Sequence, residues 1–163
     1  MTELLLDIKN LSVSLPTDRG LLNAVRGVDL EIARGHTLCL VGESGCGKSL
    51  TAFAMLGLLP SVARLAEGRI LLGDKDLAKF SERQLRKARG KDISIIFQEP
   101  SASLDPLASV GSQIADAYRT HTGATRAAAY EKAREMLVDV GIPDPDRRLE
   151  QFPFELSGGL CQR

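Results

Sequence analysis

A chain of 163 residues is about one domain of polypeptide, long enough to bury one core, and a multidomain machine in a single chain is not expected. Its 21 Lys and Arg balance 21 Asp and Glu, so no excess positive field is available to hold a polyanion and a nucleic-acid partner is disfavoured. Hydrophobic residues at 44% and charged residues at 26% match folded, soluble chains and exclude the apolar-poor composition of disorder.

Residues 3–14 and 21–32 read as β-strands. Val28, Leu30 and Ile32 alternate with Asp29 and Glu31, and Pro16, Asp18 and Gly20 supply turn chemistry between the two runs, so an antiparallel front end is predicted. Arg34 and Gly35 close it, and the continuous apolar run Thr37 to Val41 predicts a central strand buried on both faces. After a glycine-rich stretch at 42–49, KSLTAFAMLGLL reads as a helix with Leu50, Phe53, Ala54 and Leu58 near helical spacing, stopped by Pro60. Residues 68–72 are predicted as a strand, Ser81 to Gln84 as a capping box opening a basic helix to Arg89, and Asp92 to Phe97 as a further strand.

From residue 107 the pattern turns helical, with one helix near Val110 to Arg119 and a stronger one from Arg126 to Val140, stopped by Gly141. Ala129, Ala133, Met136, Leu137 and Val140 form the apolar face of the second helix, and GIPDPD at 141–146 reads as a loop. The sequence then reaches LSGGLCQR, where Ser157 and two glycines open a new helix, and an ending at a helix start predicts truncation. Cys39, Cys46 and Cys161 form neither a CxxC pair nor a zinc pattern, which points to a reducing compartment. The apolar runs fall short of the roughly 20 residues of a spanning helix, and MTELLLDIKN lacks the features of a signal peptide. Work at a membrane would therefore need a partner to carry the chain there.

The chemistry concentrates at Gly42, Glu43, Ser44, Gly45, Cys46, Gly47, Lys48 and Ser49, a GxxxxGKS run between a predicted buried strand and a helix. Glycines let backbone N–H groups turn inward around a β-phosphate, and the helix N-terminus adds partial positive charge. Lys48 is assigned as the point charge bridging β- and γ-phosphate oxygens, and the Ser49 hydroxyl as a Mg²⁺ ligand. Cys46 contributes backbone, its thiol being incidental. Alone, this loop defines an NTPase or a kinase.

LSGG at 156–159 lies more than a hundred residues downstream and is followed by Gln162 and Arg163. With GESGCGKS, then IFQEP carrying Gln98, then LSGG, the chain resembles the nucleotide-binding subunit of an ATP-binding-cassette (ABC) transporter. The resemblance implies an α/β fold of the P-loop NTPase type with an antiparallel β subdomain and a helical subdomain, truncated after the signature motif. Residues 1–106 would hold the β subdomain and part of the core, and 107–163 the helical subdomain. It further implies that Ser157, Gly158 and Gly159 face the γ-phosphate held by a second ATP-binding subunit in a homo- or heterodimer, and that Gln98 reaches Mg²⁺ and the attacking water. Lys48 and Gln98 are then the catalytic candidates, ATP and Mg²⁺ the cofactors.

FQEPSASLDP (97–106), VGIPDPDRRLEQFPFELSGG (140–159) and the opening IKNLSVSLPTDRGLLNAVRGVDLEI look like the ATP-binding subunits of bacterial oligopeptide, dipeptide and nickel importers. This implies permease subunits as partners, an extracytoplasmic solute-binding protein indirectly, no nucleic acid, and a peripheral place on the cytoplasmic face of the inner membrane. Leu15 stands where the family has an aromatic that stacks on adenine, Phe154 and Glu155 replace a His-Gln pair, and Leu160 replaces Gln or Met. The family strand ending in Asp-Glu and its later switch histidine have no match within the sequence, and His36 and His121 read as surface or loop residues. Two other readings stand beside this one: a noncatalytic remnant that binds nucleotide weakly or not at all, and a DNA-repair or chromosome ATPase with the same cassette, against which zero net charge and FQEPSASLDP weigh.

Overall fold

Two long strands open the chain because apolar side chains alternate along them and a two-residue turn, Asp18-Arg19, returns the backbone antiparallel: β1 (Leu4–Thr17) and β2 (Gly20–Ala33). The computed structural model describes residues 3–163, the side chains of Pro100 and Ser101 excepted. Within them β3 (Arg64–Leu72) and β4 (Lys75–Asp76) complete an antiparallel sheet in the order β2-β1-β3-β4. Leu6 and Ile8 face the core at period two; a register shift after Ile8 then changes phase, so that Leu11 and Val13 face it too. Asn10 sits in this bulge with φ 52°, its N–H bonded to Asp29 Oδ1 at 2.7 Å. Gly68 crosses it at φ +104°, where a Cβ would lie 2.6 Å from the Asn10 carbonyl oxygen; no side chain fits there. Ile8, Leu11, Val13 and Ile70 are the fully sealed centre of this sheet.

Helix α1 (Lys48–Leu56) follows the glycine-rich loop, and α2 (Glu82–Ala88) follows a 3₁₀ turn at Leu77–Lys79. The capping box forms as its residues predict: the Gln84 side-chain carbonyl accepts from Ser81 N at 2.9 Å and Ser81 Oγ at 2.8 Å. Helix α1 stops earlier than Pro60 suggests, at Gly57, whose left-handed backbone (φ 62°) turns its N–H onto the carbonyls of the last turn.

The chain divides into two compact units, Met1–Arg89 and Gly90–Arg163. The second is helical: α3 (Val110–Thr122), α4 (Arg126–Asp139), α5 (Pro145–Glu150) and α6 (Gly158–Gln162). Val110, Ala133, Leu137, Ile142 and Leu149 form its core, with Ile114, Tyr130, Leu156 and Leu160 packed against them. Side-chain caps set the starts of α3 and α4: Ser109 accepts from Ser112 N and Thr125 from Ala128 N.

Several expectations are corrected here. Residues 37–41 and 92–97 form no ladder beyond an isolated bridge at Ile93, and the sheet among the described residues is wholly antiparallel. The apolar runs state a demand for burial but bring no hydrogen-bonding partner, and a strand exists only as a pair. Leu38, Leu40, Val41 and Ile96 are therefore exposed. The face of α4 is narrower than predicted: Ala129, Ala133 and Leu137 are buried, whereas Met136 and Val140 are exposed. The segment expected as a loop over 141–146 is already helical from Pro145, whose fixed φ suits a first helical position.

Candidate functional site

The phosphate-loop residues lie together in the first unit, on the connection entering α1. Gly42, Glu43, Ser44, Gly45 and Cys46 are exposed, and Gly47 is the N-cap of α1 at φ 95°. A Cβ at Gly47 would lie 3.0 Å from the Ala24 carbonyl oxygen and 3.1 Å from Val25 Cγ2, so β2 presses directly on the loop and admits only glycine. The loop is stitched from within by Cys46 N to the Glu43 carbonyl at 3.4 Å, while Thr51 anchors α1 through its Oγ1 to the Gly47 carbonyl at 3.0 Å.

Lys48 turns back over the loop. Its Nζ donates to the carbonyls of Gly42 at 2.8 Å and Glu43 at 2.7 Å, and to Cys46 Sγ at 3.3 Å. An ammonium is thereby held at the N-terminal end of α1, where no acidic residue occupies the first turn. Charge and helix dipole add at this one place to favour an anion. Ser49 is exposed, and its hydroxyl has no protein partner among the described residues. Among the described residues no cluster of His, Cys, Asp and Glu is built to hold a metal alone.

Gln98, Ser157, Gly158 and Gly159 belong to the second unit. Gln98 is exposed in a bend before the 3₁₀ turn Pro100–Ser103, not at the end of a strand as its apolar neighbours predict. Ser157, Gly158 and Gly159 are exposed at the start of α6, where the Ser157 carbonyl accepts from Leu160 N at 2.9 Å and Cys161 N at 3.0 Å; the predicted opening of a helix by LSGG is what forms. Leu15 pairs with Leu22 across β1 and β2 and brings no aromatic ring. His121 packs beside Gly90.

Two residues that organise these segments carry no signature in the sequence. Arg89 donates from Nε to the Leu56 carbonyl at 2.7 Å and from Nη2 to the Gly57 carbonyl at 2.9 Å, closing the C-terminus of α1, while the Glu82 carboxylate accepts from Nη1 at 2.7 Å and from Nη2 at 3.2 Å. That contact holds the Glu82 carboxyl below its ordinary value. Gln113 fixes the loop after Gln98: it accepts from Asp105 N at 2.9 Å and donates to the carbonyls of Asp105 at 3.0 Å and Ala108 at 2.9 Å. Both read in sequence as solvated polar residues, because their partners are backbone groups that turns bring near.

This fold is that of an ATP-binding cassette. A dimeric cassette in a post-hydrolysis state bound to ADP and Pi superposes with a TM-score of 0.80 at 22% identity, covering 96% of this chain and 65% of that one. A second structure, of a dimeric bacterial ABC transporter cassette, gives 0.83 with the same identity and coverage. The sequence profile of the family described as ABC transporter matches residues 25–163, and the chain belongs to that family. Among its relatives, the dipeptide transport ATP-binding protein DppD of Bacillus subtilis is 46% identical over 162 residues, which are 99% of this chain and 48% of that protein. The oligopeptide transport ATP-binding protein OppD of the same organism is 44% identical over 160 residues, 98% of this chain and 45% of that protein. The chain thus spans about half the length of the relatives it matches.

Proposed function

We propose that this chain is the nucleotide-binding part of an ATP-driven importer subunit that takes up peptides or related small solutes. Supporting this is the Lys48 ammonium held over an exposed glycine loop at the N-terminus of α1, in a family member whose relatives are peptide transport ATP-binding proteins. Lys48 and the N–H groups of residues 42–47 would hold the β- and γ-phosphates, and Ser49 would ligate the Mg²⁺ that offsets phosphate charge. Gln98 would orient the attacking water beside that ion. Ser157, Gly158 and Gly159 would meet the γ-phosphate bound by a second ATP-binding subunit. Residues 1–106 would hold the β subdomain and part of the phosphate-loop core, and 107–163 the helical subdomain.

Permease subunits would receive the force, a solute-binding protein would deliver the cargo to them, and the subunit would lie at the cytoplasmic face of the inner membrane. Among the described residues no helix is long and apolar enough to cross a membrane. The deciding experiment is calorimetric titration of the whole natural protein that carries these residues with Mg·ATP, for parent and Lys48→Ala. Removing a charge-assisted contact costs about 1.5 to 3 kcal/mol, a loss of tenfold or more in affinity. Equal affinity for the two proteins would remove the phosphate-loop assignment.

A further inference from the structure

The chain is poor in aromatic rings, with 5 Phe, 2 Tyr and no Trp, yet two of the phenylalanines stand on the short connection that leads into α6. Phe152 and Phe154 lie on either side of Pro153 at the 3₁₀ turn Pro153–Glu155, and their rings stack with centroids 5.6 Å apart and planes 9° from parallel. Packing within the second unit does not account for the outer ring. Phe154 is 74% exposed, and the exposed residues that follow it, Glu155, Ser157, Gly158 and Gly159, are polar or carry no side chain.

The turn beneath the rings is held from several sides. Phe152 N donates to Glu155 Oε2 at 2.8 Å, Glu155 N to the Phe152 carbonyl at 3.0 Å and Leu156 N to the Pro153 carbonyl at 3.1 Å, while Pro153 is buried and Leu156 packs against the core of the unit. These contacts fix the backbone that carries the ring pair and so lower the ordering cost of adding a third ring to the stack. A planar base is such a ring, since every nucleobase has a π-face to lay on an exposed aromatic. A protein partner would bury a wider apolar face than one ring pair supplies.

Position selects which base. Among the described residues the unit that carries the phosphate loop exposes no Phe or Tyr ring, its Phe53 and Phe80 being half-buried. Phe154 instead lies three residues before Ser157, at most about 11 Å of chain, a distance that one extended nucleoside triphosphate can span. We infer that Phe154, backed by Phe152, is a stacking platform for the adenine of the nucleotide whose γ-phosphate meets Ser157, Gly158 and Gly159, the one held by the second ATP-binding subunit. This role rests on the nucleotide reading and adds a base site to it.

The assembled transporter containing the whole natural protein is titrated at equilibrium with a non-hydrolysable Mg·ATP analogue and, by displacement, with Mg·tripolyphosphate, which has the phosphates and no base. Phe154→Ala should weaken the analogue about tenfold or more and leave tripolyphosphate unchanged, because stacking is lost and phosphate contacts are not. Phe154→Tyr keeps a ring and should bind the analogue as the parent does, whereas Phe154→Leu keeps apolar bulk alone and should fall with Phe154→Ala. Lys48→Ala should weaken both ligands. If Lys48→Ala does so while Phe154→Ala or Phe154→Leu binds the analogue as the parent does, or while Phe154→Ala weakens both ligands alike, the platform is overturned and the phosphate loop stands. Lys48→Ala without effect on either ligand would remove the nucleotide reading and the platform with it.

Discussion

Lys48 and Ser49 are neighbours in sequence with different work, and the structure separates them. The three donors of the lysine rest on Gly42, Glu43 and Cys46, so its ammonium stays beside the loop and would exchange some of these contacts for phosphate oxygens when a ligand arrives. The Ser49 hydroxyl has no such engagement. On the proposed reading its value is confined to the metal. Ser49→Ala is therefore expected to weaken Mg·ATP binding about tenfold or more, the size that even outer partners of metal ligands reach, while leaving ATP binding in a chelator unchanged. Titrations with and without Mg²⁺ read the difference. An equal fall in both conditions would assign the serine to the phosphates or to the loop's fold instead.

At the scale of elements, α2 is joined to α1 by Arg89, which donates to the Leu56 and Gly57 carbonyls while pairing with Glu82 of its own helix, and the electrostatics of that pair carry a direction. The hydrogen bond from Arg89, the larger cause, and the nearby guanidinium charges hold the Glu82 carboxyl below its ordinary value. A carboxyl more acidic in the folded than in the unfolded state contributes stability at pH values above the ordinary carboxylate range. That contribution falls away as pH drops through the depressed folded value. Glu82→Gln should thus lower the unfolding temperature at neutral pH and decline less steeply in acid, so that parent and variant converge at low pH. Thermal unfolding followed across pH tests this, and parallel curves would show that the ion pair adds nothing to the α1–α2 join.

What the sequence made legible at this scale follows a physical division. Local chemistry was readable: the β1–β2 turn, the Ser81 capping box, the Ser157 start of α6 and the glycine loop each depend on residues within a few positions of one another. Partners brought from afar were not. The bulge at Asn10 is set by Asp29 and Gly68, and Arg89 finds carbonyls 32 and 33 residues away. The runs at 37–41 and 92–97 erred in the opposite sense, since their composition states how they would be buried and not what they would pair with. The phosphate-loop residues come together in one unit as their spacing implies, whereas Gln98 sits in a bend that no period-two pattern foretells.

For the molecule as a whole, the consequence lies in what residues 1–163 do when expressed by themselves. Leu38, Leu40, Val41 and Ile96 are exposed on segments that join no sheet among the described residues. Each such side chain forgoes about 1.5 to 3 kcal/mol of burial, so four together rival the roughly 5 to 15 kcal/mol that stabilises a typical domain. Chemistry points the same way. On the proposed reading Lys48 and Ser49 would position Mg·ATP, but the resemblance to the family places no water-polarising Glu within these residues, and positioning without that group would leave the attacking water unactivated. The isolated polypeptide is therefore expected to unfold without a sharp transition, to associate through its exposed apolar runs, and to release no phosphate above the Lys48→Ala blank. Calorimetry and a phosphate-release assay on the same preparation decide it: one cooperative transition would refute the packing argument, and Lys48-dependent release would refute the chemical one.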